Sequence, residues 1–171
     1  MPLQYTLRNN MFDDVSSRYL LPGEIHFDDQ PIMVNTVLGS CISVTMFNKE
    51  QHIGMICHGM MPSSKETFKQ DENCMKYLDC CILHMHDKFT SYNVKPREVE
   101  VKVFGGSDMF AYAGVGDTIG QKNISSAISN LANLKYDIIA KDIGGQFTRK
   151  LYFSTETGIV YVRKISRLQG V

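Results

Sequence analysis

The sequence has no excess charge of either sign: eighteen Lys and Arg residues balance eighteen Asp and Glu among 171. No long block of one sign breaks that balance, so the electrostatic footprint of a nucleic-acid or membrane-surface binder is missing. Long apolar runs are missing as well. Stretches such as Met55–Cys57 and Ile138–Ala140 fall far short of the roughly 20 residues a helix needs to cross a bilayer. The opening MPLQYTLRNNMFDD turns polar within a few residues and acidic by Asp13, unlike a signal peptide. There is no internal repeat and no low-complexity tract. One domain with a real hydrophobic core is expected, cytoplasmic and not inserted in a membrane. The five cysteines, an odd number, fit reduced cytosolic thiols better than a disulfide framework.

Residues 1–19 read as a polar N-terminal arm and 20–171 as the domain. Ile32–Leu38 is rich in β-branched residues and reads as a buried strand. Gly39-Ser40-Cys41 interrupts it, and Ile42–Phe47 resumes with strict alternation. His52–Met60 reads as the next strand, and Ser63–Asn73 as a hydrophilic loop long enough to cover a site. Cys74, Tyr77, Leu78, Cys81, Met85 and Phe89 recur at helical spacing, which predicts an amphipathic helix. Val99–Phe104 alternates as a strand and stops at Gly105-Gly106. A second helix spans Ile119–Leu134, and the strand Tyr136–Lys141 ends at Gly144-Gly145. Lys150–Ser154 and Ile159–Lys164 flank Thr155-Glu156-Thr157-Gly158, a hairpin with glycine where positive φ is needed. The fold class is α/β of the α+β type: a single-domain sandwich of mixed or antiparallel sheet with two main helices.

Two residues stand out chemically. Cys41 follows Leu38-Gly39-Ser40, a small-residue break between apolar strands. Such a break lets the backbone turn sharply and aim N–H groups of Gly39 and Ser40 at a developing oxyanion. A thiol there is either an activated nucleophile or a small buried hydrophobe. His58 sits near the end of the next strand, where a short antiparallel return would set it beside the Gly39–Cys41 break. It is either the base for Cys41 or a histidine hydrogen-bonded at a strand end. His26 and His52 flank polar turn residues and read as solvated surface.

Cys74, Cys80, Cys81, His84 and His86 could be read as a soft metal site. Helical geometry argues against that, because these side chains leave one helix in different directions and match no paired-knuckle spacing. The Gly105-Gly106 and Gly144-Gly145 pairs match neither a phosphate-binding nor a dinucleotide fingerprint and read as tight turns.

In collinear order these segments resemble one family. Thr36-Val37-Leu38-Gly39-Ser40-Cys41, and then His58 before Met60-Met61-Pro62, are similar to the core signature of the CheD chemoreceptor glutamine deamidases. Lys76-Tyr77 with Asp79 resembles the opening of the family's central helix. Phe104-Gly105-Gly106-Ser107-Asp108-Met109-Phe110 resembles its glycine-rich turn, and Ile119-Gly120-Gln121-Lys122-Asn123-Ile124 the start of its second helix. Asp142-Ile143-Gly144-Gly145 and the Glu156-Thr157-Gly158 hairpin complete a likeness running from Leu20 to Ile165.

The resemblance implies a CheD-like fold in which Cys41 and His58 act together on receptor glutamines, with no metal or organic cofactor. The partners implied are the cytoplasmic domains of methyl-accepting receptors and, in many members, a CheC-type phosphatase. It also implies a third residue, a threonine six positions before the cysteine. Here that position is Asn35, and the threonine is Thr36, five before. Strand parity favours Asn35 as the residue orienting His58, since Thr36 would need a β-bulge to reach the same face. A family adaptor with little turnover, and a thiol hydrolase acting on another amide, are the competing readings.

Overall fold

The computed structural model describes residues 16–27, 30–64, 74–108 and 116–166. The strands are β1 Ser17–Tyr19, β2 Ile25–Phe27, β3 Met33–Leu38, β4 Ile42–Asn48, β5 Ile53–Cys57, β6 Glu100–Gly105, β7 Ile138–Ile143, β8 Phe147–Ser154 and β9 Val160–Ser166. Two α-helices join them, α1 Leu78–Ser91 and α2 Ile119–Asn133. A four-stranded sheet runs β1-β3-β8-β9 and a five-stranded sheet runs β2-β5-β4-β6-β7. Both sheets are mixed, because β1 pairs with β3 and β6 with β7 in parallel while the other neighbours are antiparallel.

Side-chain alternation sorts the strands into layers. Ile42, Val44 and Met46 of β4 share a core with Leu78, Ile82, Met85 and Phe89 of α1 and with Ala127 and Leu131 of α2. On the opposite face of the same sheet, Ile56 and Phe104 meet Val34, Leu38, Leu151 and Phe153 of the four-stranded sheet. The layers are therefore helices, five-stranded sheet, four-stranded sheet. Every position of β4 is buried, because this central strand is covered on both faces. Each large apolar side chain so buried contributes about 1.5–3 kcal/mol.

The two helices and the strands from β3 to β9 lie where the sequence pattern puts them, with ends shifted by a few residues. Two short strands were not legible. Ser17–Tyr19 falls in the segment read as an arm, yet it pairs in register with Met33–Asn35. All three of its side chains are exposed, so no apolar pattern announces it; the open edge of β3 recruits its backbone. Ile25–Phe27 adds to the edge of β5 in the same way, and it buries His26, which the sequence reading placed at the surface.

Cys74 and Tyr77 lie ahead of α1 rather than in it, Cys74–Lys76 forming a 3-10 turn and Tyr77 the N-cap. Cys74 and Cys80 are joined as a disulfide with their Cα atoms 5.8 Å apart, so the expectation of five reduced thiols does not hold. Cys41, Cys57 and Cys81 are free. Of the loop read over Ser63–Asn73, residues 65–73 lie outside the described residues, as do Met109 and Phe110 of the glycine-rich turn. The terminal hairpin forms with Gly158 at φ +70°, and a Cβ there would meet the Phe47 ring at 2.4 Å.

Candidate active site

β3 delivers Thr36 into the seam between the sheets. Its buried phase is Val34, Thr36 and Leu38, and Thr36 is fully buried. The Thr36 hydroxyl donates to the carbonyl oxygen of Leu20 at 2.8 Å. It also lies 2.8 Å from His58 Nδ1. A hydroxyl has one proton to give, and the Leu20 carbonyl can only accept. Thr36 Oγ1 therefore accepts from His58 Nδ1–H, which assigns the imidazole its Nδ1-protonated tautomer. The lone pair is left on Nε2, buried and without a partner among the described residues.

Past the end of β5, Ile42 and Gly59 exchange both backbone hydrogen bonds, at 2.9 and 2.8 Å. Carrying this antiparallel register one step sets Ser43 opposite His58 and leaves Cys41 diagonal to it on the same face. Diagonal neighbours of this kind lie roughly 7–8 Å apart at Cα, within reach of a large side chain. Cys41 packs against the inter-sheet core and is half-buried. Burial pushes its thiol up from the ordinary range, opposed by its own backbone N–H. Burial also holds the His58 imidazole below its usual value, opposed by the Leu20 backbone. Both shifts favour the neutral forms, a neutral thiol and a neutral imidazole.

Asn35 does not join this site. It lies half-buried on the outward phase of β3, and its Nδ2 donates to Arg18 O at 3.2 Å. The β3–β8 register runs unbroken from Met33↔Ser154 to Leu38↔Arg149, so Thr36 needs no bulge. Counting back from Cys41 misled because Gly39-Ser40 breaks the strand. Orientation follows β3's own buried phase.

The glycine-rich turn supports the cysteine loop. Gly106 N donates to Cys41 O at 2.8 Å, and Ser107 N to Gly39 O at 2.9 Å. Gly105 stands at φ +107°, and a Cβ there would lie 2.1 Å from Cys41 O, so only glycine permits this approach. Arg149, buried beside Leu38, donates to Ser107 Oγ, to Asp142 Oδ1 at 2.9 Å and to Gly144 O at 2.7 Å. Sequence reading missed Arg149 and Ser107. The available signal was a charge on the buried phase of a strand, alternating with Leu151 and Phe153.

The segment weighed as a metal site does not converge. Cys81 is buried with its thiol on Met75 O, His84 is exposed, and His86 Nδ1 lies 3.1 Å from the Tyr136 hydroxyl. Among the described residues no three His, Cys, Asp or Glu side chains gather as a metal ion would need.

A three-layer α+β domain with a free cysteine and a threonine-bound histidine at one end of its inter-sheet seam is the class that fold and site define. Its sequence relatives are specific. The family described as CheD chemotactic sensory transduction matches residues 60–164. The chain is 38% identical over 152 residues to the probable chemoreceptor glutamine deamidase CheD 2 of Geobacter sulfurreducens, covering 89% of this chain and 92% of that one. It is 31% identical over 161 residues to the probable chemoreceptor glutamine deamidase CheD of Maridesulfovibrio salexigens, covering 90% and 95%. A looser likeness joins it to the crystal structure of the Bacillus licheniformis hypothetical protein YfiH, at a TM-score of 0.47 and 9% identity, over 69% of this chain and 49% of that one. The chain belongs to the CheD family. Among its described residues no helix is long and apolar enough to cross a membrane.

Proposed function

We propose that this protein hydrolyses glutamine side chains of chemoreceptors to glutamate, with Cys41 as nucleophile and His58 as its base. The observation that carries the reading is the Thr36–His58 hydrogen bond, which fixes the tautomer and leaves Nε2 without a partner among the described residues, free to take the thiol proton. His58 Nε2 takes the thiol proton as sulfur attacks the carboxamide carbon. Backbone N–H groups of the Gly39–Cys41 turn stabilise the oxyanion. The tetrahedral intermediate collapses, the C–N bond breaks, and His58 returns its proton to the departing ammonia. Water, deprotonated by the same imidazole, then hydrolyses the thioester to the carboxylate and restores the thiol. The names of the relatives support this substrate. Family membership also suggests the cytoplasm as location and a CheC-type phosphatase as regulatory partner.

The test is intact-mass analysis of a receptor cytoplasmic fragment, reading the gain from replacing NH₂ by OH. Wild type produces the gain, Cys41→Ala abolishes it, and Cys57→Ala and Cys81→Ala retain it in folded protein. Retained deamidation by folded Cys41→Ala sinks the nucleophile. An unmodified fragment that still binds wild type would favour the adaptor instead.

A further inference from the structure

Helix α2 carries a polar residue on its buried face. Gly120, Asn123, Ala127 and Leu131 form that face, and Asn123 is completely buried. Its Nδ2 donates to Ser40 O at 2.9 Å and to Met60 O at 3.0 Å. Ser40 immediately precedes Cys41, and Met60 follows His58 with only Gly59 between them. One amide group thus ties together the two backbone segments that carry the thiol and the imidazole. The assignment of its atoms is unambiguous: both partners are carbonyls, and a flipped amide would set oxygen against oxygen.

The helix is held close for this. A Cβ on Gly120 would lie 2.6 Å from Gly106 O, so α2 seats its first turn directly on the turn that supports Cys41. Stability alone does not account for the residue. Asn123 Oδ1 is buried without a partner among the described residues, a cost that an apolar side chain on the same face would avoid.

We propose that Asn123 is a positioning residue that sets the separation and register of Cys41 and His58. The proposal rests on reading those two as a thiol and its base. It is tested without substrate by following alkylation of Cys41 with iodoacetamide across acidic to alkaline pH, mapped by peptide mass spectrometry. The component of interest is the rate at neutral pH that His58→Ala removes. Asn123→Ala and the near-isosteric Asn123→Asp should each lose roughly tenfold of that component, the scale of general-base assistance. Deamidation kcat should fall in step while KM moves less than about threefold, since no substrate contact is removed. Asn123→Ser, which keeps a donor, should recover part of the loss. Ala127→Gly weakens the same helix without touching either loop, so it should lower the melting temperature and leave the component intact. A folded Asn123→Ala or Asn123→Asp protein with the wild-type alkylation profile overturns the proposal, as does a wild-type profile lacking any His58-dependent component. If wild type fails to deamidate while the Asn123 variants still lose the alkylation component, the proposed reaction falls and the positioning role stands.

Discussion

Replacing Thr36 by valine removes one hydroxyl and almost no volume, so it isolates the hydrogen bonds of the buried site. Two bonds of 2.8 Å disappear, one to the Leu20 carbonyl and one from His58 Nδ1–H. No water reaches a side chain that is fully buried, so an acceptor and a donor are both left unpaired. Each orphan costs about 1–3 kcal/mol, and the pair together about 2–6 kcal/mol of folding stability. For a domain of this size that lowers the melting temperature by roughly 4–24 °C. The effect on turnover is separate. Without its acceptor the imidazole can rotate or carry its proton on Nε2, and a ring in that tautomer cannot take the Cys41 proton. The expected fall in kcat/KM is roughly 10–100-fold, measured by mass on a receptor fragment well below the melting temperature. Thr36→Ser keeps the oxygen and should stay within about threefold, losing only the methyl packing. Asn35→Ala should likewise stay within about threefold, because the Asn35 side chain donates to Arg18 O and not to His58. A folded Thr36→Val protein with kcat/KM within about twofold of wild type would refute the assignment of Thr36 as the group that orients the base.

Burial holds the His58 imidazole below its ordinary value, and in the proposed mechanism the neutral ring is the working form, so the acid limb of kcat/KM should lie below about pH 6.5. The unfolded chain binds a proton at His58 below about pH 6.5 that the folded chain resists, so stability should be full above that pH and decline as pH falls through the window. Urea titrations across pH read this slope, and His58→Gln should flatten it; an unchanged slope would contradict the shift. Gly105→Ala drives a Cβ against the Cys41 carbonyl at a backbone angle that disfavours side chains, and should cost about 2 kcal/mol of stability with at least about a tenfold loss of kcat. Arg149→Met removes one of the two ion partners of Asp142 and leaves Ser107 Oγ and Gly144 O without their guanidinium, costing about 2–3 kcal/mol by denaturant titration. That is less than for a sealed ion pair, because Asp142 is 28% exposed and keeps Lys164 at 3.1 Å.

The periodic elements were legible because each is long enough to declare its phase. β4 alternates apolar residues with Ser43 and Thr45, and α1 and α2 repeat at helical spacing. The Gly39-Ser40-Cys41 break, the His58 strand end and the glycine-rich turn were legible too, since each couples a special backbone need to a chemical group. The strands Ser17–Tyr19 and Ile25–Phe27 were not, for three residues carry no period and their pairing is supplied by a neighbour's free edge.

What the sequence determined by itself was therefore the α+β class, the two helices, the candidate thiol and imidazole, and the family resemblance. The choice between Asn35 and Thr36 belonged to the tertiary structure. A strand's alternation states which residues share a face but not which face meets the second sheet, and only the packing of β3 over β5 turns Thr36 onto His58. Asn123 and Arg149 were hidden for the same reason. Their spacing marks them as polar residues on buried faces, but their partners lie 83 and 63 residues away for Asn123 and 42 for the Arg149–Ser107 contact. Hydrogen bonds across such separations exist only once the layers have closed, because the loop-closure entropy they require is offset by the hydrophobic seam and not by the polar groups themselves.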